Sequence, residues 1–294
     1  MIFEIHNSQK IPRTVAIRGI ARKVGTTSIT ANLAAALAAR GEKILLLDFC
    51  LWNADLTRAF GHSPAIALID LVQELENGDT LSMDSIDRYI QSCRPNLDLL
   101  PATPQWLESP ILRGENGWNF IHALFVCAMD RWNTILVDLG SHVPGDKALD
   151  STFLAMSAIH ASILQASSLL IGVCDSIAYL KLWQAQPNFD SPFRDKTIYV
   201  VNHHRSDLPF GLDRYKVHAS MRAQSHLVPS VRGGLLADEH GLFFMDRARQ
   251  AEDLSLGERK TMREFQDIAA RVSHPIFHRE ESDRSTESFS NSRH

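Results

Sequence analysis

A glycine followed by three hydroxyl residues stands near the start of the chain, where a strand is predicted to turn into a helix. The run is Gly25-Thr26-Thr27-Ser28, and the alanine-rich segment Ser28–Arg40 that follows has the composition of a helix. Free backbone N–H groups and the helix dipole converge at such a turn, which suits an anion such as phosphate. A tight turn with a hydroxyl cap is the alternative interpretation of these residues.

The loop departs from the standard phosphate-binding pattern G-x-x-x-x-G-K-[ST]. Gly25 and Thr27 fit this pattern, but Ile20 stands at the first glycine and Thr26 at the lysine. In the standard loop the lysine reaches the β and γ phosphates and the last hydroxyl holds Mg²⁺. Threonine carries no charge, and losing a charge-assisted hydrogen bond costs about 1.5–3 kcal/mol. The neighbouring Arg22-Lys23 pair could supply the charge instead.

Two aspartates follow short apolar runs that are predicted to be strands. Asp48 and Asp138 each come directly after such a run. The carboxyl ends of parallel strands meet at one edge of the sheet, so both acids are expected beside the Thr27 hydroxyl as a Mg²⁺ site. Each acid alone could equally be a helix or turn cap. Asn202 follows another strand, where its amide could hydrogen-bond the edge of a nucleotide base.

Short apolar runs alternate with helical segments along the chain, which predicts an α/β fold with a doubly wound, mostly parallel sheet and helices on both faces. The predicted strands are Thr14–Ile17, Lys43–Leu47, Leu97–Leu100, Thr134–Val137, Leu169–Val173 and Thr197–Val201. Besides Ser28–Arg40, the predicted helices are Ile66–Leu75, Met83–Ser92, Gly117–Arg131, a helix ending near Gln165, Lys181–Gln186, Leu212–Ala223 and Ser255–Val272. We expect one domain over residues 1–277 and a disordered tail over 278–294.

Composition excludes several classes of protein. A net charge of −4 over 294 residues argues against sequence-independent binding of nucleic acid. The four cysteines form no CxxC pair, as expected for a reducing cytoplasmic setting. Residues 151–174 carry no formal charge, but serine, histidine and glutamine interrupt them, so a membrane span is not expected. The 13 histidines show no metal-ligand spacing on a helix.

Together these motifs resemble the MinD/ParA branch of P-loop proteins over residues 12–272, and within that branch the BcsQ (YhjQ) family of cellulose biosynthesis. That family reads R-G-G-V-G-T-T-[TS]-I-T-A-x-L-A, which Val24–Ala34 follows. Asp48-Phe49-Cys50 is similar to the family's D-x-C, Leu97–Pro101 to its L-D-L-L-P and Ile135–Leu139 to its I-L-I-D-L.

The sequence departs from the family at Ala21-Arg22-Lys23, which replaces R-G-G and removes both loop glycines. Ala21 also stands where many MinD/ParA proteins carry a signature lysine, so the Walker A loop is interpreted as degenerate. The resemblance and the residues together give a candidate site for ATP and Mg²⁺, with binding weakened or lost. Its phosphate and base positions are Gly25, Thr26, Thr27, Ser28 and Asn202, and its catalytic and metal positions are Thr27, Asp48 and Asp138.

The resemblance implies an accessory factor of the bacterial cellulose synthase complex that is not itself the synthase. It implies a cytoplasmic homodimer, peripheral to the inner membrane, whose partners are a BcsR-like small protein and the synthase assembly, with no nucleic acid. Because Thr26 and Ala21 replace the two lysines, we expect at most a weak ATPase.

Three other classes of protein are alternatives. CpaE/TadZ pilus-localisation factors share the lysine-free loop, but they usually carry a receiver-like domain for which the residues before Thr14 leave no room. A polysaccharide-export tyrosine kinase would need the loop lysine and a tyrosine-rich tail, and a ParA-type segregation ATPase would need both lysines. The amphipathic helix Ser255–Val272 could lie on a membrane, although packing on the sheet is the simpler interpretation.

Overall fold

A sheet of eight strands forms the centre of the computed structural model. The model describes residues 13–20, 23–50, 53–62, 67–103, 110–112, 114–141, 151–175, 196–204, 225–229, 235–237 and 242–274. The strands are β1 (Arg13–Gly19), β2 (Ile44–Asp48), β3 (Gln91–Arg94), β4 (Leu97–Leu100), β5 (Thr134–Asp138), β6 (Leu169–Cys174), β7 (Thr197–His204) and β8 (Ser225–Pro229).

The strand order is β3-β4-β2-β5-β1-β6-β7-β8. All neighbours pair in parallel except β3, which runs antiparallel to β4 at one edge. The chain therefore winds outward on both sides of β1, and β5 is inserted between β1 and β2. This order brings the carboxyl ends of β1, β2 and β5 side by side, at the place where doubly wound sheets bind ligands.

Helices cover both faces of the sheet. They are α1 (Thr26–Ala38), α2 (Asp55–Ala59), α3 (Leu68–Glu76), α4 (Met83–Asp87), α5 (Gly114–Ala128), α6 (Ser151–Ala166), α7 (Phe244–Gln250) and α8 (Leu256–Ser273), with a 3₁₀ turn at Pro110–Leu112. One apolar core joins the sheet to α1, α7 and α8, where Leu33, Met245 and Phe265 are buried. The other joins it to α3, α5 and α6. The predicted α/β doubly wound fold is confirmed.

All six predicted strands are confirmed: the bounds of Leu97–Leu100 are exact, and the ends of the other strands differ by at most three residues. The prediction of a helix over Met83–Ser92 is wrong beyond Asp87, because Gln91–Arg94 pairs with β4 as a strand. The short helices α2 and α7 and the strand β8 were not predicted. The predicted helices at Lys181–Gln186 and Leu212–Ala223, and the predicted tail over 278–294, lie outside the described residues.

The last helix packs on the sheet. Ser255 caps α8 in a reciprocal arrangement with Glu258, and the apolar side chains of Phe265 and Ile268 are fully buried. The apolar face of α8 is thus occupied within the fold. Among the described helices, none combines the length and apolar character needed to cross a membrane.

Asn32 ties α1 to α7 from inside the apolar core. Its side chain is fully buried, and its Nδ2 donates to the carbonyls of Ser28 and Leu235 at 2.7 Å each. Its Oδ1 accepts from the backbone N–H of Met245 at 2.9 Å. Hydrogen bonds offset the free-energy cost of removing a polar group from water. Because this amide keeps its partners, it stabilises the segment around α7.

We expect Asn32→Ala to lower the free energy of unfolding by about 2–4 kcal/mol, because it leaves the buried Met245 N–H and Leu235 carbonyl without a partner. Urea unfolding followed by circular dichroism measures the change. Asn53→Ala, at an exposed position, is the matched control and should change stability by less than about 0.5 kcal/mol. Equal stability of the two variants would contradict this role.

Candidate functional site

The register between β2 and β5 brings two aspartates together. Asp48, the last residue of β2, is the Cα partner of Asp138, the last residue of β5, and Ile17 of β1 pairs with Asp138 on the other side. Both aspartates therefore lie at the carboxyl edge of the sheet. They share the face of Leu46 and Leu136, which is the face that α1 covers.

The loop between β1 and α1 turns through left-handed backbone. Gly25, the N-cap of α1, has φ 83° and ψ 32°, and Lys23 has φ 58°. Gly25 adopts this conformation without steric cost because it has no Cβ, whereas the same region of backbone conformation is strained for Lys23. No described side chain caps α1. The first N–H groups of the helix thus retain their capacity to bind an anion.

Thr27 and Asp138 are joined across the site. The Thr27 hydroxyl donates to Oδ2 of Asp138 at 2.7 Å, and the Gly140 N–H donates to Oδ1 at 2.9 Å. Asp138 is fully buried, and this burial, reinforced by the negative charge of Asp48, raises its pKa to about 7. The structure confirms that the hydroxyl and the acid meet, as expected from their places at the ends of β5 and the loop.

Asp48 is held by a set of donors that the sequence pattern does not reveal. Its Oδ2 accepts from the Thr57 hydroxyl at 2.7 Å and the Thr57 N–H at 2.8 Å, and its Oδ1 accepts from the Cys50 N–H at 3.0 Å. Thr57 Oγ1 in turn accepts from the Ala102 N–H at 2.9 Å. Burial raises the pKa of Asp48 to about 6, against the lowering effect of these donors. Asp48 therefore also anchors α2 to the sheet.

Thr26, at the position of the loop lysine, faces into the protein. It is 3% exposed, and its hydroxyl shares a hydrogen bond of 2.7 Å with the hydroxyl of Ser141. Both hydroxyls lie against Gly19, where a Cβ would come within 2.1 Å of Ser141 Oγ and 2.5 Å of Thr26 Oγ1. A side chain at Gly19 would therefore displace this pair of hydroxyls.

The chain matches one family model and a number of solved structures. Residues 13–63 match the family model described as cellulose biosynthesis protein BcsQ. No curated protein matches the sequence.

Solved structures match over most of the chain. A ParA family ATPase from Chlorobium tepidum has 17% identity and a TM-score of 0.58, covering 88% of this chain and 98% of its own. MinD from Pyrococcus horikoshii, complexed with Mg-ADP, has 18% identity and a TM-score of 0.58, covering 89% and 96%. A chain of the MinC:MinD cell division protein complex of Aquifex aeolicus has 16% identity and a TM-score of 0.59, covering 89% of this chain and 96% of its own.

The chain has the fold of the MinD/ParA P-loop proteins, and its residues 13–63 match the BcsQ family model. The segment that matches the BcsQ family model spans β1, the P-loop, α1, β2 and α2. It thus contains Thr27 and Asp48, whereas Asp138 lies outside it.

Two further predicted positions of the P-loop site make contacts within the protein. Asn202 is fully buried at the end of β7, and its Nδ2 donates to the Val24 carbonyl at 2.9 Å. The amide nitrogen thus supports the P-loop backbone, and contact of this side chain with a nucleotide base stays a prediction. Ser28 lies in the first turn of α1, partly exposed, and its carbonyl accepts from Asn32.

Cys50, which follows β2, packs closely on Gly140, which follows β5. Its thiol donates to Oδ2 of Asp55 at 3.6 Å, and a Cβ at Gly140, which has φ 64°, would lie 2.6 Å from its sulfur. Burial and the nearby carboxylates raise the pKa of the thiol, so it stays neutral. The sequence analysis matched Cys50 only to the family's D-x-C and did not single out Thr57 or Ser141, because their partners come from distant segments.

The residues at this edge fit a hydrated Mg²⁺ ion. The buried carboxylates of Asp48 and Asp138 adjoin the Thr27 hydroxyl, and no described lysine or arginine side chain pairs with either acid. Oxygen donors of this kind suit a hard divalent cation. No group of three or more His, Cys, Asp or Glu side chains among the described residues forms a separate metal site.

The raised pKa values predict how stability depends on pH without metal or nucleotide. Asp138 keeps its proton to about pH 7 when folded but loses it near pH 4 when unfolded. The folded state therefore binds more protons between these values, so this aspartate makes stability fall as pH rises from about 4 through about 7. Urea unfolding in a chelator at pH 5.5 and pH 8 should show this fall.

Asp138→Asn should reduce that fall and raise stability at pH 8, because the buried charge is gone, by about 1 kcal/mol or more. Asp253→Asn, at an exposed position, serves as control and should keep the wild-type dependence. A wild-type slope in Asp138→Asn would contradict the assignment.

Proposed function

We propose that this protein is a nucleotide-dependent accessory factor of bacterial cellulose synthesis and secretion, similar to BcsQ and distinct from the synthase itself. The observation that carries the proposal is the coincidence of the BcsQ match, residues 13–63, with the segment that builds the P-loop and the Asp48 anchor. A match confined to a peripheral helix would support the fold alone. This one covers the loop and the strand end that would contact the ligand.

In this proposal the chain binds ATP or ADP together with Mg²⁺. Gly25, Thr26 and the first amides of α1 hold the phosphates, and Thr27 provides a hydroxyl ligand to the metal. Asp138 and Asp48 orient the water molecules of the metal. The bound Mg²⁺ would neutralise charge on the phosphates, and the two buried acids would gain the positive partner that the described side chains do not provide.

Hydrolysis is proposed to be slow or absent, so the protein acts through nucleotide occupancy. Thr26 brings no charge to the phosphates, and its hydroxyl is already paired with Ser141. Cys50, which packs on Gly140 near the two acids, keeps its proton and cannot act as a base. Asp48 is engaged by Thr57 and Cys50 and so serves the position of α2.

The proposed partners are a second copy of the chain, a BcsR-like small protein and the cellulose synthase complex at the cytoplasmic side of the inner membrane. The net charge of −4 gives no support to nucleic acid as a partner. A pilus-localisation role of the CpaE/TadZ kind is the second candidate, because those proteins share a P-loop without the lysine.

We expect the purified protein to bind Mg-ATP and Mg-ADP, and Thr27→Val to weaken Mg-nucleotide binding about 10-fold or more, since it removes both the metal ligand and the Asp138 contact. Titration calorimetry with and without Mg²⁺ measures this. Thr80→Val, in the turn before α4, is the control and should bind as the wild type does. Turnover at the rate of ordinary P-loop ATPases, abolished by Asp138→Ala, would refute slow hydrolysis.

The cellular role is tested by affinity isolation of the tagged protein from its native cells, at low salt with ATP and Mg²⁺ present. We expect cellulose synthase subunits and a small partner protein among the proteins identified by mass spectrometry. Recovery in Thr27→Val should fall if association needs the nucleotide. Recovery of pilus-assembly proteins instead would favour the second candidate, and chromosome-segregation proteins would refute both.

A further inference from the structure

A buried histidine on α6 contacts the turn that follows Asp48. His160 is 6% exposed, and its Nε2 lies 2.9 Å from the carbonyl oxygen of Phe49. A carbonyl oxygen can only accept a hydrogen bond, so Nε2 carries a proton and donates the bond. Phe49 is fully buried in the apolar core that joins the sheet to α5 and α6. The hydrogen bond therefore ties α6 to the residue that directly follows β2.

The peptide unit that accepts this hydrogen bond also holds Asp48. The carbonyl of Phe49 and the N–H of Cys50 belong to one planar peptide, and this N–H donates to Oδ1 of Asp48 at 3.0 Å. Since a peptide unit rotates as a rigid plane, the bond from His160 restricts the direction in which the Cys50 N–H points. Hydrogen bonds at both ends of one peptide also strengthen each other. A single rigid group thus connects His160 to the carboxylate of Asp48.

This peptide is the point at which the chain leaves the sheet for α2. One peptide earlier, the Phe49 N–H donates to the Asp138 carbonyl at 2.9 Å and continues the pairing of β2 with β5. One peptide later, the Cys50 carbonyl accepts from two N–H groups just before α2, at 3.1 and 2.7 Å. The described hydrogen bonds of the peptide between them are the ones to Asp48 and from His160. Loss of the histidine would therefore free this plane to turn.

We propose that His160 is a positioning residue of the candidate metal site and orients Asp48 through the peptide between Phe49 and Cys50. This inference rests on the proposed binding of a Mg-nucleotide. One oxygen of Asp48 accepts from Thr57 and the other from the Cys50 N–H, so both contacts are needed to fix the plane of the carboxylate. Without the His160 bond, one oxygen shifts while the other stays anchored. Because Asp48 orients the water molecules of the metal, the effect falls on Mg²⁺ and not on the phosphates.

The first test is the reactivity of the Cys50 thiol in the absence of ligand. Cys50 is 2% exposed, and Cys174 in β6 is fully buried and serves as the reference for global unfolding. We expect N-ethylmaleimide to modify Cys50 in His160→Leu about 5-fold or more faster, relative to Cys174, than in wild type, because the turn opens locally. His160→Gln, whose amide keeps a donor, should restore the wild-type ratio. Mass spectrometry of peptides measures each cysteine separately.

The second test is titration calorimetry with ADP, both with Mg²⁺ and in a chelator. We expect His160→Leu to raise the Kd of Mg-ADP about 3- to 10-fold and to leave the Kd of metal-free ADP unchanged. His160→Gln should retain most of the affinity for Mg-ADP. Ile163→Ala is the matched control, since it removes a fully buried side chain one turn further along α6. It should lower the melting temperature but keep the wild-type thiol ratio and both Kd values.

An unchanged Kd of Mg-ADP in His160→Leu, with wild type binding Mg-ADP, would overturn the role of His160 and leave the proposed function standing. An equal loss of affinity in Ile163→Ala would also overturn it, because the loss would then follow from the packing of α6. If wild type binds no Mg-nucleotide, the proposed nucleotide dependence fails and thiol reactivity decides the role of His160. Selective modification of Cys50 in His160→Leu but not in His160→Gln would retain His160 as the residue that positions Asp48, and a wild-type ratio in both would overturn it.

Discussion

The site depends on one constraint, which is that two carboxylates end neighbouring parallel strands and are fully buried. Asp48 and Asp138 are Cα partners in register, so neither can move away from the other without breaking the sheet. Their burial would be untenable without donors, and the protein provides them from three directions: Thr27 on α1, Thr57 on α2, and the backbone N–H groups that follow each strand. The loop and two helices are thereby tied to the same edge.

The two aspartates have different contacts, although the sequence pattern gives them the same predicted role. Asp138 accepts from the Thr27 hydroxyl in the first turn of α1, whereas Asp48 holds α2 through Thr57. Between them, Cys50 packs on Gly140 as a neutral thiol. The edge therefore has the hydroxyl and carboxylate groups of a metal–phosphate site, but its loop has a hydroxyl pair, Thr26 with Ser141, where a lysine would bring charge. This combination is the basis for the proposal that the protein binds nucleotide and hydrolyses it slowly or not at all.

The sequence predicted correctly those elements that local residue patterns determine, and it missed those that depend on contacts with distant segments. The central strands were predictable because their residues are buried on both faces and read as continuous apolar runs. The helix predicted over Met83–Ser92 failed at its end because pairing with β4 overrides local helical preference. Strand β8 escaped prediction because its sequence, Ser225–Pro229, has only two aliphatic residues and gains its stability from β7 and α8. The short helices α2 and α7 carry too few turns to show a periodic pattern.

The sequence by itself determined the fold class, the place of the P-loop, the loss of its lysine and the meeting of Thr27 with Asp138. These follow from local composition and from the rule that parallel strands end at one edge. Only the tertiary structure decided that Thr57 holds Asp48 and that Asn202 supports the loop backbone at Val24. Each of these depends on which distant groups surround a buried side chain. Burial and pairing arise from the packing of the whole chain, and no local pattern encodes them.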